Sequence, residues 1–118
     1  MATTLTERKL WERIRKNFSW SKRIETGETG RGIPDVLTII KNRIVFLELK
    51  VGDTPVFRPG QIGVGQRLDA ASGAVVILAT GTRYLACRYR DVGNNGDFSR
   101  AKELKKVDEE EIWNLITS

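Results

Sequence analysis

Apolar residues recur along this chain with three different periods. Between Leu5 and Phe18 the spacing is helical: at 100° per residue Leu10, Trp11, Ile14 and Phe18 form one stripe. Glu7 falls inside that stripe. Glu12 instead falls among Arg8, Arg15 and Lys16, where ion pairs at helical spacing account for it. From Val36 onward the chain is rich in β-branched residues, broken only by Lys41-Asn42-Arg43, which predicts two strands joined by a tight turn. Ala74 to Thr80 is apolar almost throughout, the mark of a central strand covered on both faces.

The remaining elements fill in between these. Lys22 to Thr26 reads as a short strand. Val51 to Arg58, broken by Pro55, reads as a loop near a substrate. A helix is expected from Pro59 to about Ser72, with proline in its first turn. Gly60, Gly63 and Gly65 weaken it, since a glycine costs about 1 kcal/mol against alanine in a helix interior. On that helix Gln61 shares a side with Val64, Leu68 and Ala71, and Gln66 points elsewhere. Arg83 to Arg90 reads as a further strand and Gly93-Asn94-Asn95-Gly96 as a loop. Asp108 caps a last helix, with Glu111 three residues on and Ile112, Trp113, Leu115 and Ile116 as its buried side. Helix, strand, hairpin, helix, two more strands and a helix make an α/β fold, a mixed central sheet flanked by helices. A chain of 118 residues is long enough for one domain, 1–118, and too short for a second.

Composition narrows the chemistry. The chain has no histidine, which removes Ser-His-Asp and Cys-His catalysis. Its one cysteine, Cys87, excludes an internal disulfide and a cysteine-cluster zinc site; within an apolar strand it reads as a buried structural thiol. With no run of membrane-spanning length and no signal-peptide core, a soluble cytoplasmic protein with no membrane partner is expected. The net charge of +5 is uneven. Residues 1–32 and 82–106 are basic and 107–118 is acidic, a distribution suited to a polyanion such as DNA but also to ordinary solubility.

The hairpin then brings two acids together. With a two-residue turn at Lys41-Asn42, Ile40 faces Arg43, Leu37 faces Phe46 and Asp35 faces Glu48. Opposed side chains have β-carbons about 4.5–5.5 Å apart. Alternation puts Leu37, Ile39, Ile44 and Phe46 on one face, with both carboxylates at its end and Lys50 pointing the same way. Opposed like charges destabilise a sheet unless a cation lies between them, and a hard divalent ion is the natural one. Removing either acid should relieve that repulsion. Upstream, Gly27-Glu28-Thr29-Gly30-Arg31-Gly32 allows close backbone approach to a ligand, with Arg31 able to meet a phosphate.

Pro34-Asp35 followed by Glu48-Leu49-Lys50 resembles the motif of the PD-(D/E)XK nuclease superfamily. The fuller Gly32-Ile33-Pro34-Asp35, with Gln61 downstream, is similar to its VRR-Nuc branch and to small phage-type endonucleases. The likeness runs from residue 7 to about residue 80. It implies a restriction-endonuclease-like fold and metal-dependent hydrolysis of DNA phosphodiesters, with junction or other branched DNA as a candidate substrate. It further implies that Asp35, Glu48 and the Leu49 backbone carbonyl hold Mg²⁺ or Mn²⁺. Lys50 is then the catalytic lysine, Gln61 the helix glutamine and Glu7 the accessory acid, with Glu12 and Glu25 as the other acids in reach. Small relatives of this kind pair, so a homodimer is expected; Trp20 and the apolar side of the last helix are the candidate surfaces. A nucleic-acid-binding module without the chemistry, or a structural subunit of a larger machine, would share the fold.

Overall fold

In the computed structural model, which describes residues 5–24 and 32–118, Thr6 opens the first helix, its side chain accepting the Lys9 N–H at 3.1 Å. That helix, α1 (Glu7–Ile14), tightens into a 3-10 turn over Arg15–Asn17 before Phe18 turns inward. It is therefore shorter than its apolar stripe, and the Asn17 amide, donating to the Val107 carbonyl at 2.9 Å, ties down its end. A short strand β1 (Ser21–Arg23) follows. Glu25 and the glycine-rich segment up to Arg31 lie outside the described residues.

The hairpin forms in the expected register. Strands β2 (Val36–Ile40) and β3 (Arg43–Val51) pair Ile40 with Arg43 and Leu37 with Phe46. Lys41 and Asn42 both have positive φ, 49° and 65°, the backbone that a two-residue type I′ turn requires. From β3 the chain crosses through α2 (Gln61–Ala71) to β4 (Ala74–Thr80), which runs parallel to β3. Then come the antiparallel β5 (Arg83–Arg88), an edge strand β6 (Lys102–Leu104) and α3 (Glu109–Thr117), capped by Asp108 accepting from the Glu111 N–H at 2.9 Å. Among the described residues, six strands lie in chain order in the sheet, β1 to β6. Strand β6 is absent from the sequence reading: three residues, two of them exposed, carry too little alternation to register.

Two apolar layers sandwich the sheet. On one face α1 and α3 cover Val36, Ile40, Val45, Leu47, Leu49, Val75 and Ile77. On the other, Ile62 and Leu68 of α2 pack with Phe46, Ala74, Val76, Cys87 and Tyr89. β4 is central and buried from Ala74 to Ala79, as its sequence predicts. Cys87 is a buried free thiol that burial pushes up to about 11.

Helix α2 presents a different face from the one its apolar residues suggest. Its buried positions are Gln61, Gly65 and Asp69, while Val64 and Leu68 are half-buried and Ala71 is exposed. Polar bonds and one close contact turn it. The buried Asp69 carboxylate takes the Arg88 guanidinium at 2.7 Å and the Arg90 N–H at 3.0 Å, and Arg88 also donates to the Ile116 carbonyl at 2.7 Å. That group joins α2 to α3 through the end of β5. It also stops the strand at Arg88, before the expected Arg90. Among the described residues no helix is long and apolar enough to cross a membrane.

Candidate metal centre

Asp35 stands one residue before β2, and Glu48 and Lys50 lie on β3, alternating onto the face covered by α2. Parallel pairing with β4 sets this end of β3 in the middle of the sheet, so its side chains are enclosed by neighbours. Asp35 is 7% exposed, Glu48 2% and Lys50 8%. Asp35 Oδ2 accepts the Leu49 N–H at 2.8 Å, a bond that locks the acid across the hairpin end. Leu49 itself points its side chain into the opposite layer, leaving its backbone between the two site residues.

Gln61 opens α2 and completes the group. Its Nε2 donates to Glu48 Oε2 at 3.2 Å, and its Oε1 accepts from Lys50 Nζ at 3.1 Å and from the Arg58 N–H at 2.6 Å. Lys50 Nζ lies 3.4 Å from Glu48 Oε2 and 5.1 Å from the centre of the Phe57 ring. One glutamine thus fixes both charged ends and anchors the loop before the helix. Gly60, with φ of +87°, starts α2 without a side-chain cap, which leaves Gln61 free to turn inward.

Glu7 approaches from the other layer, in the first turn of α1. It is exposed, where its place in the apolar stripe suggested burial. Even so, one oxygen from each of Glu7, Asp35 and Glu48 falls within 4.8 Å of the others. Glu12 is elsewhere, paired with Arg8 at 3.4 Å as its spacing suggested. The five candidate side chains therefore converge at one end of the sheet.

The electrostatics of that cluster favour a cation. Burial, then the Asp35 charge, raises Glu48 from 4.5 to about 8; Lys50 opposes the shift and Glu7 adds to it. Three carboxylates drawn this close make one another costlier to ionise, a cost that a divalent ion among them would relieve. Glu48 Oε1 is buried with no hydrogen-bond partner among the described residues, an acceptor that a divalent ion would satisfy. An all-oxygen donor set suits a hard ion such as Mg²⁺ or Mn²⁺ rather than zinc held by thiolates or imidazoles. The residues present fit a divalent metal.

Two neighbours of the site escape a reading of the sequence. Phe57 looks like an ordinary loop aromatic, yet it lies beneath the Lys50 ammonium. Tyr89 looks like one residue of a mixed strand, yet it is fully buried and packs against Phe57 and Gly65. Gly65, unexplained within a helix, was the one available signal.

Compared by sequence, the chain matches no family description and no curated protein. Compared by structure, it is similar to Hjc, a Holliday junction resolvase from the archaeal hyperthermophile Archaeoglobus fulgidus. The TM-score is 0.57 at 14% identity, over 92% of this chain and 89% of that one. At that identity the likeness is one of fold. The restriction-endonuclease-like α/β architecture, a mixed sheet flanked by helices, is present.

Proposed function

We propose that this protein is a metal-dependent endonuclease of the PD-(D/E)XK type, cutting phosphodiester bonds in branched DNA. The observation that carries this reading is the convergence of Glu7, Asp35 and Glu48 beside a lysine fixed by Gln61, in a fold shared with a Holliday junction resolvase. The Gly32-Ile33-Pro34-Asp35 sequence and Gln61 favour the VRR-Nuc, phage-type branch within that superfamily.

Asp35 and Glu48 would hold Mg²⁺ or Mn²⁺, with the carbonyl of Leu49, the residue after Glu48 on β3, as a further oxygen and Glu7 reaching in from α1. When bound, such an ion polarises a non-bridging phosphate oxygen and lowers the pKa of attacking water. Lys50 places its charge where negative charge develops on the phosphate; it either orients and helps deprotonate the attacking water or stabilises that charge. Gln61 holds Lys50 and Glu48 in fixed relation, so neither has to reorganise as the reaction proceeds. The walls formed by Phe57 and the start of α2 keep Lys50 largely out of water, which strengthens its pull on a phosphate.

The DNA partner fits the basic composition, and work on cellular or phage DNA would place the protein in the cytoplasm, of the host if phage-encoded. Residues 1–118 would act as one nuclease domain, and paired cuts would come from a homodimer with two sites related by a twofold axis.

A cleavage assay on a four-way junction, a flap and a linear duplex, with and without Mg²⁺, tests the proposal. Mg²⁺-dependent cutting of the branched substrates ahead of the duplex is expected. Binding without cutting would mark a nucleic-acid-binding module, and neither binding nor cutting would leave a structural subunit.

A further inference from the structure

Tyr89 is the largest of the fully buried side chains. Its hydroxyl, also buried, has no hydrogen-bond partner among the described residues. Leaving such a group unsatisfied is unfavourable, because it gives up its bonds to water and gains none in return. Phenylalanine would fill the same space without that cost, so core packing alone does not account for the oxygen.

The position of the ring suggests what does. It leaves the turn after β5 and lays its face against Gly65, where a β-carbon would come within 2.4 Å of Cδ1 and 2.5 Å of Cδ2. Gly65 stands one helical turn beyond Gln61 on the buried side of α2, and Gln61 is bonded to both Glu48 and Lys50. The Phe57 ring lies 6.1 Å from that of Tyr89 and beneath the Lys50 ammonium. Tyr89 thus occupies the sheet face that carries Glu48, behind the Gln61–Lys50–Glu48 group. Burial pushes its hydroxyl above the ordinary phenol range, and the charges of Glu48 and Asp35 act in the same direction. It therefore keeps its proton. Among the described residues, the other buried side-chain atom without a partner is Glu48 Oε1. One is a donor and the other an acceptor.

We infer that the Tyr89 hydroxyl is the positioning donor for Glu48, reaching Oε1 across one water, so that the carboxylate presents a fixed edge to a divalent cation. This rests on the reading of the cluster as a metal-binding nuclease site. A carboxylate oxygen has two lone pairs, so Oε1 can accept from that water and still face a cation. Donors that orient a ligand in this way typically change metal affinity or activity about 10–100-fold.

Tyr89→Phe keeps the ring and deletes only the donor. The test compares this variant with the wild type by melting without metal and by calorimetric titration with Mn²⁺. Melting at or above the wild-type temperature is expected, together with Mn²⁺ binding weaker by about tenfold or more. Wild-type Mn²⁺ affinity in the variant overturns the inference. So does a metal-free variant that melts well below the wild type or fails to fold, since the hydroxyl would then be structural. A wild type that binds no Mn²⁺ removes the metal site itself, and the inference with it; a wild type that binds and a variant that binds equally remove the inference alone.

Discussion

Glu48 is held between opposing demands. Burial and Asp35 favour its protonated form, while Lys50 and Gln61 bond to its charged oxygen. The consequence for the metal-free protein has a definite sign. With its value raised from 4.5 to about 8, folded Glu48 keeps a proton that the unfolded chain has already released. Stability therefore falls as pH rises through that window and levels off above it. Melting curves of metal-free wild type from pH 5 to pH 8 should show the decline, and Glu48→Gln should flatten it and melt higher at pH 8. Asp35 behaves differently. It accepts the buried Leu49 N–H, so Asp35→Ala leaves that donor unsatisfied at a cost of about 1–3 kcal/mol and should melt lower. The two acids, equivalent as opposed charges in the sequence, are distinct in the fold. A second comparison at this scale concerns α1. Glu7→Gln should reduce Mg²⁺-dependent cleavage about tenfold or more, and Glu12→Gln, which loses only a surface ion pair, should leave it near wild type. The reverse order in a cleavage time course would assign the accessory acid to Glu12.

Among the elements, the hairpin was the most legible. Its β-branched run and polar turn fix a two-residue connection, and that connection fixes every pair from Ile40–Arg43 down to Val36–Leu47. Helix α2 was legible in extent but not in orientation. Its inward face is built from Gln61, Gly65 and Asp69, whose partners Glu48, Tyr89 and Arg88 come from distant strands and the turn after β5 and leave no mark in local periodicity. The same helix offers a contrast between two glycines. A β-carbon at Gly63 meets nothing within 4 Å, whereas one at Gly65 meets the Tyr89 ring at 2.4 Å. Gly63→Ala should therefore gain up to about 1 kcal/mol from helix propensity. Gly65→Ala should lose stability on balance, overpacking of about 1–3 kcal/mol outweighing the same gain. Urea denaturation of the two variants measures the difference, and equal stabilisation would mean that α2 does not pack on Tyr89.

At the scale of the molecule, the expected fold holds because its parts carry long-range signals. An apolar β4 demands cover on both faces, and α1 and α3 carry apolar stripes able to supply it on one of them. The apolar side of α3, a candidate dimer surface from sequence, is instead spent on that core, with Ile112 and Ile116 buried. Exposed apolar side chains lie elsewhere. Ile39 and Ile44 pair across the hairpin at 42% and 46% exposure, and Trp20 is 46% exposed. These are the better candidates for a homodimer contact. Sedimentation at micromolar concentration should give a dimer, and Ile44→Lys should give a monomer that nicks but no longer makes paired cuts. A wild-type monomer making paired cuts would rule the dimer out.

Whether Glu7, Asp35 and Glu48 form a metal centre is decided most directly by calorimetric titration of the wild type and Glu48→Gln with Mn²⁺ near pH 7. Glu48, raised to about 8, must release its proton as the ion binds. The wild type should therefore bind with a heat that changes with the ionisation enthalpy of the buffer, and Glu48→Gln should lose both the binding and that dependence. No binding by the wild type, or equal binding by the variant, would contradict a metal centre at this cluster.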